Sequence, residues 1–264
     1  MTHDNDKWIP PSSTEEILKN LLIPPRYYMR HLVGKNLRKG EPELHLLPFL
    51  VNRDKQAIDI GANKGIYTHL LARLVPFVHA FEPNPKMFNV LTRGLPENAR
   101  SYEIALSDQS GSGELLVPKL LVPKLQGPTS VRKRAYANLG ASLSRKKVKG
   151  EHGIVQIEKR TLDSYALDNV GFIKIDVEGY EQTVLKGAKE TLMHCRPTIL
   201  IELEERHTGV TIESLIEQVE VYGYQAYFLR NRQLTPVTQF DSESEHRSPE
   251  TPSNYVNNFL FFAE

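Results

Sequence analysis

The sequence has a single cysteine, Cys195, among 264 residues. One thiol excludes an intrachain disulfide and any cysteine metal cluster; it suits a reducing compartment without requiring one. Long apolar runs are also missing: none approaches the roughly 20 residues that a membrane-spanning helix needs. The opening MTHDNDKWIPPSS has no apolar centre of the kind a secretory leader carries, so the expected compartment is the cytoplasm. Charge of one sign is not in excess, with 33 Lys and Arg against 32 Asp and Glu, a net +1. No global field therefore draws the chain toward nucleic acid or an acidic surface, and any electrostatic argument must be local.

What is present is an alternation of short apolar runs and helical patterns. QAIDI (56–60), FVHAF (77–81), SYEIAL (101–106), FIKID (172–176), TILIEL (198–203), YQAYFL (224–229) and NNFLFFA (257–263) read as strands. Residues 65–75, 84–94, 180–194 and 210–222 read as helices; in the first, Ile66, Leu70, Leu71 and Leu74 share one face. Strands alternating with helices at this spacing predict an α/β fold, doubly wound, with a mostly parallel sheet covered on both sides. Residues 1–50 are expected to form a tail and helical cover, and 51–264 the main domain.

Two stretches break the rhythm. Residues 115–150 hold nine Lys or Arg, no acid, and a tandem LLVPK at 115–119 and 120–124. Two copies of five residues do not make a solenoid, so this is read as a lengthened basic loop inserted into the domain. ASLSRKK (141–147) within it resembles a lid with Arg145 facing an anion, although charge runs are more often solvated surface. DSESEHRSPETPSN (241–254) is polar, carries two prolines, and is expected to be a loop.

The chemistry concentrates in AIDIGANKG (57–65), a strand entering a glycine turn and then a helix. Gly61 and Gly65 permit positive φ and a close backbone approach to a ligand. Asp59 and Asn63 put polar groups at the strand's carboxyl end, where open α/β sheets bind ligands. Glu82 ends the next strand, where an acid can take both hydroxyls of a ribose. The spacing G-A-N-K-G is not the G-x-G-x-x-G that brings a helix N-terminus to a pyrophosphate. A nucleoside without phosphates fits better, and S-adenosylmethionine is such a ligand.

The pieces AIDIGANKGIYTHLLARL (57–74), HAFEPNP (79–85), EIALSD (103–108), TLDSY (161–165), FIKIDVEGYEQTVLKGA (172–188) and ILIELEE (199–205) resemble the FkbM-type methyltransferase family. The resemblance implies a seven-stranded class I methyltransferase fold and O-methylation of hydroxyls on natural products or sugars. It also implies that Asp59, Gly61, Asn63, Gly65 and Glu82 hold S-adenosylmethionine, with Ser107 and Asp108 near the adenine. The insertion at 115–150 and the unmatched N-terminus depart from the family's pattern, where acceptor recognition can reside.

Lys174, Asp176 and Glu178 stand at i, i+2 and i+4, which in an extended strand puts all three on one face. Buried parallel strands are normally apolar, so these charges need partners. Asp176 is assigned to the reacting centre, with Glu178 and Glu202 as supporting carboxylates and Lys174 as counter-charge. Structural pairing of Lys174 with a carboxylate, Glu202 included, competes with that reading. Converging carboxylates also suit a hard divalent cation such as Mg²⁺, but the metal-free version is preferred and no metal ligands are assigned. His207 has the pKa of a general base, yet a solvent-exposed loop histidine is the commoner outcome. His69, His79 and Cys195 are expected to pack. The expected reaction is methyl transfer to a hydroxyl of a small molecule or carbohydrate, with an acidic acceptor suggested by the basic loop and no nucleic-acid partner. The alternatives are N-methylation and a catalytically silent binding module.

Overall fold

Both faces of the central strands are buried, which is why they read as unbroken apolar runs rather than as an alternating pattern. The computed structural model describes residues 18, 21–118, 142–143, 152–248 and 255–264. Its strands are β1 (Gln56–Ile60), β2 (Val78–Phe81), β3 (Ala99–Tyr102), β4 (Ile104–Leu106), β5 (Gly111–Pro118), β6 (His152–Arg160), β7 (Val170–Ile175), β8 (Thr198–Glu202), β9 (Tyr224–Arg230), β10 (Gln233–Pro236) and β11 (Asn258–Ala263). The main sheet runs β10-β9-β11-β8-β7-β1-β2-β3, and a second, three-stranded sheet runs β4-β6-β5. From β3 across to β8 the pairs are parallel; β11 is antiparallel to both β8 and β9. This is the doubly wound order, with a reversed last strand slotted between two others and β10 added at the edge by a hairpin.

Strand pleat sorts the side chains. Ile58, Ile60, Ile173, Ile175, Ile199 and Ile201 face one core. That side is covered by α4 (Glu181–Lys186), α5 (Lys189–Cys195) and α6 (Ile212–Glu220), which supply Val184, Leu185, Leu192, Ile212, Leu215 and Val219. Ala57, Phe172, Leu200 and Leu260 face the other core. There α2 (Ile66–Leu71) meets the N-terminal segment, which consists of α1 (Pro25–Lys39), a 3₁₀ turn (Pro42–His45) and a single helical turn (Leu47–Leu50). Helix α3 (Pro85–Arg93) begins where Asn84 accepts the Lys86 N–H at 3.1 Å and Pro85 takes the first turn, a position that needs no donor.

Several elements differ from the sequence reading. SYEIAL is not one strand. Tyr102 ends β3 with its ring stacked 4.6 Å from Phe81, and the chain then leaves for the second sheet, where Ala105 packs with Leu115, Val155 and Ile157. The helix expected over 180–194 is interrupted at Gly187, where the backbone passes so close to the Ser107 carbonyl that a Cβ would stand 1.9 Å from its oxygen. The basic insertion does not begin as a loop: residues 115–118 complete β5, which pairs antiparallel with β6. Most of 119–151, the second LLVPK copy and Arg145 included, lies outside the described residues, as does most of the helix anticipated before Pro24. The polar stretch at 241–254 contains a helical turn, Glu243–Arg247, anchored by Arg247 to Glu205 at 2.6 Å and Glu213 at 2.8 Å.

Candidate active site

The turn after β1 is built on left-handed backbone. Gly61, Asn63 and Gly65 have φ of 79°, 51° and 87°. A side chain on Gly61 is excluded twice over, by its φ and by the Asp176 carbonyl, which lies 1.9 Å from the place a Cβ would take. The Gly61 and Ala62 N–H groups both donate to the Phe81 carbonyl, at 2.9 and 3.0 Å, and this holds the turn against the end of β2.

Glu82 follows β2 and is buried at 7% exposure. Its Oε2 accepts the Asn63 N–H and its Oε1 the Asn84 N–H, each at 2.8 Å. Two fixed donors thus orient the carboxylate, and each oxygen keeps a lone pair for a ligand. Burial pushes the carboxyl up to about 7, against the two N–H donors, which pull it down.

One cleft runs along the carboxyl ends of β1, β2 and β7. Gly61, Asn63, Glu82, Asp176 and Glu178 all line it, and its apolar side is Ile104, Leu106, Leu115 and Leu143. The predicted cofactor turn and two predicted catalytic acids therefore meet in one space. Leu143 comes from the insertion: Ser142 bridges to Leu116 and its hydroxyl donates to the Glu178 carbonyl at 2.7 Å. A turn opened by Gly61, a fixed carboxylate and an apolar wall fit a nucleoside bearing an amino-acid end.

Other predicted site residues stand apart from the cleft. The Asp59 side chain is on the opposite face of β1, where its Oδ2 accepts the Thr68 hydroxyl at 2.5 Å, and burial raises its carboxyl to about 6. It does not line the cleft, and neither do Gly65, Ser107, Asp108, Lys174 or Glu202. Gly65 instead packs against Leu91. The Ser107 hydroxyl is fully buried between Asp108 Oδ1 at 3.1 Å and the Tyr180 hydroxyl at 3.2 Å.

The expectation that Lys174, Asp176 and Glu178 share one face holds for the first pair only. Lys174 Nζ lies 3.6 Å from Asp176 Oδ2 and 5.1 Å from the centre of the Tyr67 ring. The Tyr67 hydroxyl donates to Glu41 at 2.5 Å, so the N-terminal segment closes over the ammonium. Burial alone would depress the Lys174 pKa, but Asp176, Glu41, Glu202 and Asp59 outweigh it and hold the ammonium above the ordinary lysine range. Glu178 leaves the strand with a left-handed φ of 57° and turns toward His207, whose Nδ1 is 3.6 Å from its carboxylate. His207 is buried at 9% exposure, not an exposed loop residue.

Glu202 sits beside this group on the strand next to β7, as its sequence position suggested. Its Oε1 accepts the Asn257 amide at 2.7 Å. Burial and the neighbouring Asp176 push its carboxyl up to about 8. The Asp176 side chain is 31% exposed. Sequence reasoning missed Glu41, Tyr67 and Asn257, because nothing in their local pattern marks a partner that only the fold supplies. Among the described residues no group of three His, Cys, Asp or Glu is arranged to hold a metal ion.

Comparison with known proteins gives a family match to the methyltransferase FkbM domain over residues 59–226. The chain is 28% identical over 188 residues to methyltransferase sdnD of Sordaria araneosa, covering 61% of this chain and 71% of that protein. It is 25% identical over 179 residues to the hexuronic acid methyltransferase AglP of Haloferax volcanii, covering 67% of this chain and 66% of that one. Among solved structures, methyltransferase FkbM from Methylobacillus flagellatus aligns with 94% of this chain at 15% identity and a TM-score of 0.49, and this chain spans 60% of that protein's length.

Proposed function

The chain belongs to the FkbM methyltransferase domain family, and from that premise we propose that it moves a methyl group from S-adenosylmethionine to a hydroxyl oxygen of a small molecule or sugar. The single observation that carries this reading is the shared cleft: Gly61, Asn63 and Glu82 line the same space as Asp176 and Glu178. In this reading Gly61 and Asn63 bear the cofactor's amino-acid end, and Glu82 takes the ribose hydroxyls with its remaining lone pairs. The apolar wall of Ile104, Leu106 and Leu115 receives the adenine; Ser107 and Asp108 support that wall from behind, and Asp59 and Gly65 brace the turn.

The cofactor's sulfonium supplies an activated methyl carbon, so the protein must align the acceptor and remove one proton. Asp176 is the acceptor-side carboxylate. It takes the hydroxyl proton as the oxygen–methyl bond forms and the sulfur–methyl bond breaks. Glu202, shifted toward its protonated form, and Lys174, held as a cation, flank Asp176 and fix its direction. Glu178, braced by His207, bounds the acceptor at the rim.

The similarity to a hexuronic acid methyltransferase, together with the basic composition of 115–150, supports an acidic sugar as acceptor. We further read residues 1–50 as a cover on the domain spanning 51–264. The test is transfer of a labelled methyl group from S-adenosylmethionine to a panel of uronic acids, neutral sugars and amines, followed by identification of the bond formed. A new methyl–oxygen bond, formed fastest on the uronic acids, is the expected outcome. A methyl–nitrogen bond overturns the hydroxyl acceptor, and tight cofactor binding without transfer to any hydroxyl or amine in the panel favours the silent binding module.

A further inference from the structure

Beyond β7, Asp176 is still tied to the sheet, its N–H donating to the Ile60 carbonyl at 3.0 Å. The chain then turns through Glu178 and Gly179, both left-handed, with φ of 57° and 92°. Glycine adopts that conformation freely, but a glutamate seldom does. Contacts from outside must therefore hold the turn. Three are in place. The Ser142 hydroxyl donates to the Glu178 carbonyl at 2.7 Å. His207 packs against Gly179, where a Cβ would stand 2.9 Å from the His207 Cβ. The Gly179 N–H donates to Glu181 Oε1 at 2.9 Å.

Glu181 stands out among the three. It opens α4, where an acid suits the positive end of a helix, but acids in that role ordinarily stand in water. Glu181 is 3% exposed. Burial pushes its carboxyl up to about 7; the Gly179 N–H pulls it down, and the nearby Asp176 pushes it further up. Burying a carboxyl costs free energy that an exposed cap would not, so capping explains the residue type and leaves its burial unexplained. Glu181 does not line the cleft, yet it grips the turn whose Asp176, Val177 and Glu178 do. We propose that Glu181 is a positioning residue for acceptor binding: its buried carboxyl holds the Gly179 N–H and so keeps the Glu178 side chain in the cleft. The role given to Glu178 rests on the methyl-transfer reading; the fixing of the turn does not.

The test compares Glu181→Met and Glu181→Gln in the full chain. Methionine fills the buried space without an acceptor for the Gly179 N–H; glutamine keeps a carbonyl oxygen for it. The first readout is NMR and needs neither activity nor a variant: in the wild type the Gly179 amide proton should titrate with a midpoint of about 7, following its acceptor. Hydrogen exchange at Gly179 should then be about tenfold faster in Glu181→Met and near wild type in Glu181→Gln. The second readout is kinetic, with the acceptor that the methyl-transfer panel identifies. Acceptor KM should rise about tenfold in Glu181→Met and recover in Glu181→Gln, with kcat and S-adenosylhomocysteine affinity within a few fold. Glu178→Gln should raise KM comparably, and adding Glu181→Met to it should cost nothing further, because the two act through one contact. A Gly179 amide that does not titrate, unchanged exchange in Glu181→Met, additive KM losses, or a loss of cofactor affinity as large as the rise in acceptor KM overturns the proposal. A wild-type chain that methylates no acceptor defeats the methyl-transfer reading and the acceptor role with it; faster Gly179 exchange in Glu181→Met would still support Glu181 as the tether of the turn.

Discussion

The carbonyl oxygen of Asp176 occupies the space beside Gly61 so closely that a Cβ on that glycine would stand 1.9 Å from it. The turn leaving β1 and the end of β7 are therefore one mechanical unit. Gly61→Ala must displace the Asp176 backbone and also strain a φ of 79°. The expected result is a loss of stability of about 1–3 kcal/mol, together with loss of S-adenosylhomocysteine binding and of activity. Thermal melts and calorimetric titration check both. Wild-type behaviour would show that the turn and the strand end move independently.

Glu82 does two jobs in this arrangement, since its two oxygens accept the Asn63 and Asn84 N–H groups. Glu82→Ala should weaken S-adenosylhomocysteine binding by about 1–3 kcal/mol and also destabilise the apo-protein by a similar amount, because two donors lose their acceptor. Glu82→Gln keeps one carbonyl oxygen and should fall between. Chemical denaturation of apo-protein separates the two roles: an affinity loss with unchanged apo stability would mean that the N–H groups find other partners.

Asp176 and Glu202 should separate kinetically. Asp176→Asn removes the proposed proton acceptor and should lower kcat by about 10²–10⁴, with cofactor affinity within a few fold. Glu202→Gln leaves Asp176 in place but removes a carboxyl pushed up to about 8. Its expected effect is a changed pH profile of kcat in the range about 7–9 rather than loss of turnover. An unchanged profile, or near wild-type turnover in Asp176→Asn, would remove the pair from catalysis.

The buried acids also set a pH dependence of stability. Burial pushes Glu43, Glu82 and Glu181 up to about 7 from an ordinary 4.5, and Glu202 to about 8. Each retains a proton in the folded state at pH values where the unfolded chain has released it, so stability falls as pH rises through that range. His79 works the other way: burial lowers it to about 4 from 6.5, so its contribution grows with pH only up to about 6.5. The clean window is therefore about pH 6.5 to 8. There the apo-protein should lose stability, and Glu43→Gln should flatten the slope by about 1 kcal/mol per pH unit near pH 6.5 and by less above pH 7. Glu43 is the best probe because its Oε2 is buried without a hydrogen-bond partner among the described residues. A slope unchanged in Glu43→Gln would mean that this acid is ionised in the folded state.

Local chemistry was enough to read the turn. DIGANKG signals a strand, a positive-φ turn and a helix from residue types alone, and FEPNP puts an acid one βα unit later, because glycine freedom and strand length are properties of short segments. The apolar runs likewise announced the central strands and their burial. What the tertiary structure decided was the direction and company of each charge. Asp59 and Glu82 end neighbouring strands, yet Asp59 points under the sheet to Thr68 while Glu82 lines the cleft. Lys174 looked like part of a three-charge face until helix α2 brought Tyr67, and the N-terminal segment Glu41, over it. SYEIAL read as one strand because its composition is continuous, and it split because β5 and β6 offered Ala105 a second core. Which neighbour a side chain meets depends on register, crossover and what covers each sheet face, and those are set by contacts between residues far apart in the chain.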